Sequence, residues 1–229
     1  AKALAESLHV NKFLHSLCLG SNSIGCEGAK AFAAALSTNR SLTLLDLSHN
    51  QVGDQGTKAF AEALHVNNSL LSIDFSGNQI GSAGAKAFAD ALAMNATLTL
   101  ISFYNTSIGN KEAKAFAQAL SVNKSLRSII FRHNQIGNDG AKALAEALCI
   151  NKSLTLIDLS FNQIGDDGAK SLADALVVNE TLVELSLDIN QIGEIGAIAL
   201  AKALCTNQSL TQIVLGNNEI GHRGAKALA

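Results

Sequence analysis

One 28-residue pattern repeats eight times along the chain without an insertion or deletion, and no other feature restricts the fold as tightly. Aligned on one polar position, the copies place Asn22, Asn50, Asn78, Thr106, Asn134, Asn162, Asn190 and Asn218 in a single column. Self-similarity at such a period marks a solenoid, in which each unit packs only against its neighbours. The 229 residues are therefore expected to form a single domain, 1–229, whatever domain count the length alone would suggest.

Each unit has the form LxxLxLxxNxIGxxGAKALAxALxxNxS, as in LTLIDLSFNQIGDDGAKSLADALVVNET at 154–181. Its first half spaces Leu154, Ile157 and Leu159 as a short strand with one buried face requires. In the second half, Ala29, Phe32, Ala33 and Leu36 and their counterparts fall at i, i+3, i+4 and i+7, which predicts an amphipathic helix. Asp54, Ser82, Asn110, Asn138 and Asp166 are expected to cap the helix starts. Asn39, Asn67, Asn95, Asn123, Asn151, Asn179 and Asn207 are expected to end the helices in the left-handed conformation. No helix covers its strand alone, so neighbouring units must stack to close the core. Equal connection lengths then make the strands parallel and put the helices on one side: an α/β architecture.

The fourth unit departs from the pattern, with Thr106 for Asn and Glu112 for Gly. Both changes have local accommodations. A Thr hydroxyl bonds backbone, and a carboxylate is favoured near a helix N-terminus, so this unit is expected to be a worn copy.

Composition excludes several classes. Hydrophobic residues make up 48% and charged residues 16%, too apolar for disorder, yet no apolar run reaches the ~18 residues of a membrane span. A net charge of −2 gives no electrostatic reason to expect nucleic acid or an anionic membrane as partner. The chain opens on AKALAESL, in register with the repeat and without the zones of a signal peptide, so a cytoplasmic location is expected. Cys149 and Cys205 share a repeat position two units apart, too far for a disulfide, and Cys18 and Cys26 lack partners at zinc spacing. Free thiols, no metal and no cofactor are expected. Ala1 and Ala229 fall inside helices without polar capping units, so the chain is expected to be a piece of a longer array. Exposed Leu4, Leu8, Leu210 and Ile213 would then favour self-association.

The pattern resembles the ribonuclease-inhibitor type of leucine-rich repeat over essentially the whole chain. It is most similar to the C-terminal repeats of NOD-like receptors and to leucine-rich effectors of intracellular bacteria, which share IGxxGAxALAxAL units. The resemblance implies a horseshoe solenoid of eight 28-residue units, its parallel sheet concave and its helices convex, with the Asn column bonding backbone of adjoining turns. It implies a protein-binding scaffold rather than an enzyme, an effector in host cytosol or a receptor's sensing region, with a small-GTPase activator as the enzyme-class rival. Ribonuclease inhibition goes with abundant Cys, concave Trp and strong acidity, and this sequence has 4 Cys, no Trp and near-neutral charge.

Recurring motifs have simple readings. GDDGAKS at 165–171 lacks the Gly before Lys that a phosphate-binding loop needs, since Ala169 precedes Lys170. The sequons starting at Asn39, Asn67, Asn95, Asn123, Asn179 and their like coincide with the helix stops and are taken as structural. Convex lysines with an acidic residue four positions on, such as Lys86 and Asp90, describe a solvated face. On the concave side, Asp46 and Asp74 sit on adjacent strands, but nothing differentiates their environments for acid–base work, and no catalytic residue is expected. The next column outward reads Gly20, Ser48, Ser76, Tyr104, Arg132, Ser160, Asp188, Gly216. The one beyond it reads Ser21, His49, Gly77, Asn105, His133, Phe161, Ile189, Asn217. With the central column, Cys18, Asp46, Asp74, Ser102, Ile130, Asp158, Ser186 and Val214, they bring Tyr104, Ile130, Arg132, His133, Phe161 and Ile189 together, rimmed by Asp158 and Asp188. Aromatic and Arg anchors in a charged rim have the composition of a binding hot spot, so these eight residues are the expected partner site, with Tyr104 and Phe161 exposed on strands.

Overall fold

The computed structural model describes residues 1–229. Helix α1 (Lys2–Val10) is followed by eight strand–helix pairs: β1 (Ser16–Cys18), α2 (Gly25–Leu36), β2 (Leu44–Asp46), α3 (Gly53–Leu64), β3 (Ser72–Asp74), α4 (Ser82–Met94), β4 (Leu100–Ser102), α5 (Asn110–Leu120), β5 (Ser128–Ile130), α6 (Asn138–Ile150), β6 (Leu156–Asp158), α7 (Asp166–Val178), β7 (Glu184–Ser186), α8 (Glu194–Leu204), β8 (Gln212–Val214) and α9 (Gly221–Leu228). The strands pair in parallel in chain order as one open sheet. Register never slips: Leu45 faces Ile73 and Ile129 faces Ile157, always one period apart. Among the helices, each packs only against those before and after it.

Side-chain columns fill the space between sheet and helices. Leu154, Ile157 and Leu159 are fully buried, as are Ala29, Phe32 and Leu36. Seven of the nine Phe are core residues. Phe60, Phe75, Phe88, Phe103, Phe116 and Phe131 form a continuous stack with neighbouring centroids 5.1–5.5 Å apart. Edge-on contacts predominate, the geometry that ring quadrupoles favour. Leu144 and Leu172 continue the column beyond the aromatic stack.

The helix starts differ from expectation. Asp54, Asn110, Asn138 and Asp166 make no cap bond to their own helices. Each lies inside the first turn and reaches sideways to the next unit's helix. Asn110 Oδ1 accepts from Gly137 N at 2.8 Å and Gly140 N at 3.0 Å. Asp166 Oδ1 accepts from Gly193 N at 2.8 Å and Gly196 N at 2.7 Å. Orphan amides at the starts of α4, α6, α7 and α8 are thus satisfied by the preceding unit. A Cβ on Gly196 would lie 2.8 Å from that Asp166 oxygen, and one on Gly84 2.7 Å from Asp54 Oδ1. Glycine recurs there because a neighbour's carboxylate or amide occupies the space.

The helix stops also differ. Asn95, Asn151 and Asn179 are extended, with φ from −66° to −85° and ψ from 126° to 131°, not left-handed. Their carboxamides make the left-handed turn unnecessary, because they bond the free carbonyls directly. Asn95 Nδ2 donates to Leu64 O and Asn67 O of the preceding unit, while its Oδ1 accepts from Thr97 and Leu98 N. The sequon asparagines form a buried ladder. A second ladder runs through the column of Asn50: Asn78 Nδ2 donates to Leu47 O, and Asn78 Oδ1 accepts from Val52 N. One further expectation fails: Leu8 is buried under α2's unit at 1% exposure, while Leu4 is exposed.

The worn unit is repaired from within. Thr106 keeps the inward bond, Oγ1 to Phe103 O at 2.8 Å, but does not reach the preceding unit. Glu112 stands where Gly is usual because Ser82, one unit back, is too short to fill the space. Glu112 Oε2 accepts from Gly109 N at 2.8 Å, and Ser82 Oγ donates to Glu112 Oε1. Burial pushes this carboxyl's pKa up, but the Ser82 and Gly109 hydrogen bonds, its own amide and Lys111 together hold it below the ordinary value.

Candidate functional site

Past each three-residue strand the backbone turns sharply through a left-handed residue. The whole column has positive φ, from +51° at Asn105 to +65° at Gly77. Gly is comfortable there and Asn tolerable. Phe161 at +55° and Ile189 at +52° are not, and a left-handed L-residue costs roughly 1–2 kcal/mol. The turn lays side chains 133, 161 and 189 along the rim of the concave face.

Tyr104, Arg132, His133, Phe161 and Asp188 are brought into contact. The Tyr104 and His133 rings meet edge-on at 5.8 Å, and His133 stacks on Phe161 at 5.7 Å. Arg132 lies over Phe161 with its Cζ 4.3 Å from the ring centroid, a cation–π geometry. Its Nη1 is 3.8 Å from Asp188 Oδ2, too long for a hydrogen bond. These contacts correct the expectation of exposed strand aromatics: Tyr104 and Phe161 lie beyond the strand ends and are half-buried, because the rings and Arg132 cover one another. Ile130 pairs with Asp158 across β5 and β6, one column deeper. Ile189 sits one unit beyond Phe161.

The concave carboxylates are tied to backbone. Asp46, Asp74 and Asp158 accept at Oδ1 from Ser48, Ser76 and Ser160 N, at 2.7–2.9 Å. Each closes its own strand end, and Asp46 and Asp74 face one another across β2 and β3. Sequence reasoning missed Ser160. It is wholly buried, and its hydroxyl has no hydrogen-bond partner. Ser76 at the equivalent position bonds Ser102 at 2.8 Å. Ser160 has an equivalent candidate in Ser186 and does not use it. No single-unit pattern signals this, because both units carry the same residue pair.

A family model described as leucine-rich repeat matches residues 10–33, 38–61, 66–89, 122–145, 151–173, 178–201 and 206–229. The chain belongs to the leucine-rich repeat family. The stretch those matches skip between 89 and 122 holds Thr106 and Glu112, so this leucine-rich repeat array is least typical where its ladder and caps are rebuilt. No curated protein matches the sequence. Among solved structures, leiomodin-1 actin-binding site 2 is 26% identical with a TM-score of 0.52, covering 55% of this chain and 75% of that one. The tropomodulin C-terminal domain of Caenorhabditis elegans is 15% identical with a TM-score of 0.55, covering 66% and 92%; this second likeness concerns the fold alone. No helix of this leucine-rich repeat array is long and apolar enough to cross a membrane.

Proposed function

We propose that the chain is a non-catalytic scaffold that takes a protein partner on its concave face. Tyr104, Arg132, His133, Phe161 and Asp188 form the centre, with Ile130, Asp158 and Ile189 around them. Phe161 carries this reading: a large aromatic at a turn position that suits Gly or Asn, with a guanidinium over its ring. Half-buried aromatic and Arg groups are the usual anchors of protein interfaces. The preformed sheet presents them without a large ordering cost. The tethered Asp46, Asp74 and Asp158 support the face rather than perform acid–base chemistry.

The IGxxGAxALAxAL units favour a cytosolic setting, and the low complexity of the repeats with no Pro or Trp favours a bacterial effector in a host cell ahead of a NOD-like receptor's sensing repeats. Stimulation of GTP hydrolysis over a panel of small GTPases would identify the activator class instead. A second reading, actin binding, is supported by the 26% identity to leiomodin-1 actin-binding site 2, and co-sedimentation with actin filaments together with monomer titration tests it.

The concave reading is tested by capturing partners with the wild type, then measuring affinity for the Tyr104→Ala, Arg132→Ala, Phe161→Ala triple variant. Hot-spot truncations cost ~2–4 kcal/mol each, so affinity should fall at least about thirty-fold with little change in melting temperature. The convex control, Lys86→Ala with Lys142→Ala, should cost under ~1 kcal/mol. Unchanged affinity in the triple variant, or a larger loss in the control, overturns the reading.

A further inference from the structure

The seventh helical unit breaks the convex pattern at three positions at once. The column of Lys30, Lys58, Lys86, Lys114, Lys142, Lys170 and Lys226 holds Ile198 there. The column of Glu62, Asp90, Glu146 and Asp174 holds Lys202, and the column of Asp139 and Asp167 holds Ile195. These departures share the outer face of α8. Ile195, at the start of α8, is 68% exposed and Val177, at the end of α7, 54%. With Ile198 and intervening alanines they floor a groove of about 450 Å³ between the two helices. The equivalent groove between α2 and α3 is lined instead by Lys30, Gln55, Lys58 and Glu62. Lys170 and Lys202 border the apolar groove, with Asp174 between them, and neither lysine belongs to any of the chain's four ion pairs.

We infer that the α7–α8 groove is a second docking surface, independent of the concave patch, for an amphipathic helix of a partner protein with an acidic edge. The shape fits a helix. Lining positions 170, 173, 174 and 177 on α7 recur at i, i+3, i+4 and i+7, and 195, 198, 199 and 202 on α8 do the same, so the groove runs along both helices. At 1.5 Å per residue, helices of 13 and 11 residues offer about three turns of contact. An apolar stripe at i, i+3/4 and i+7 fills such a floor. The two unpaired lysines fix the sign of its edge. A second copy of this chain fits poorly, because a two-fold contact would gather four lysines against two aspartates.

The natural control is to give α8 the face of α7: Ile195→Asp, Ile198→Lys and Lys202→Asp. Unit six carries those residues at the same positions, and the melting temperature checks the fold. The probes are two helical peptides of about 14 residues with one leucine stripe, edged with Glu or with Lys. By titration calorimetry the Glu-edged peptide should bind the wild type at least about tenfold more tightly than its Lys-edged twin. The triple variant should lose that binding, while Tyr104→Ala keeps it. Should the triple variant melt early, Lys202→Asp alone leaves the floor intact and should narrow the preference. Equal affinity for both peptides, no binding of the Glu-edged one, or undiminished binding to the variants refutes the surface. A wild-type dimer in light scattering that the triple variant dissolves refutes it in favour of a second copy.

Discussion

Glu112 shows how one side chain replaces a function normally divided between units. It stands in for a neighbour's oxygen at the start of α5, and it needs the short Ser82 beside it to have room. Its folded pKa lies below the ordinary carboxyl value of about 4.3. The sign follows: its contribution is fully present above that ordinary value and is lost as pH falls through the lower folded one. Glu112→Gln should therefore destabilise the protein by about 1 kcal/mol at pH 7. The gap from wild type should narrow as pH falls below the ordinary carboxyl value, read by urea titration across pH. A gap that stays constant with pH would show that the charge is not what stabilises the turn. Phe161 and Ile189 teach the complementary lesson. Their left-handed backbone is set by the turn that every unit makes, so side-chain chemistry there varies against the local preference.

At the scale of elements, α4, α6, α7 and α8 depend on the unit before them for their starts. Asp166→Ala removes the acceptor for Gly193 and Gly196 N, and loss of a cap typically costs ~1 kcal/mol. Hydrogen exchange should quicken at the start of α8 rather than at the start of α7, where the mutated residue itself lies. Faster exchange confined to α7 would refute capping between units. Strand and helix boundaries, the parallel order and the core columns were legible in the sequence, because the 28-residue period imposes them and apolar spacing marks the buried face. The direction of the polar bonds was not. Asp54 and Asp166 look like local caps because residue preference at a helix start is the same whichever helix is served. Asn95 looks like a left-handed stop because Asn is common there too. Of the concave patch, the residue types were legible, since repeats align by column. Their stacking, their partial burial and the unpartnered Ser160 depend on rotamers that no period specifies.

Across the whole molecule, stability is a sum over unit interfaces, and one interface is weaker in a specific way. The side-chain oxygen that accepts from Val52, Ile108 and Ile136 N is an Asn, and at Ile80 its place is taken by Thr106. Thr106→Asn should restore the bond to Ile80 N and the reach back to Phe75 O. Each net hydrogen bond is worth ~0.5–1.5 kcal/mol, so the urea midpoint should rise and exchange at Ile80 should slow. An unchanged midpoint would mean the turn is satisfied by other means.

The trans bonds also impose an order in time. During synthesis Asp166 leaves the ribosome before Gly193, so α8, like α4, α6 and α7, finds the acceptor for its first amides already in place. Its last carbonyls must wait, as Leu64 O waits for Asn95. The growing array is closed behind and open ahead, with one turn of unpaired carbonyls moving along it until the following unit arrives.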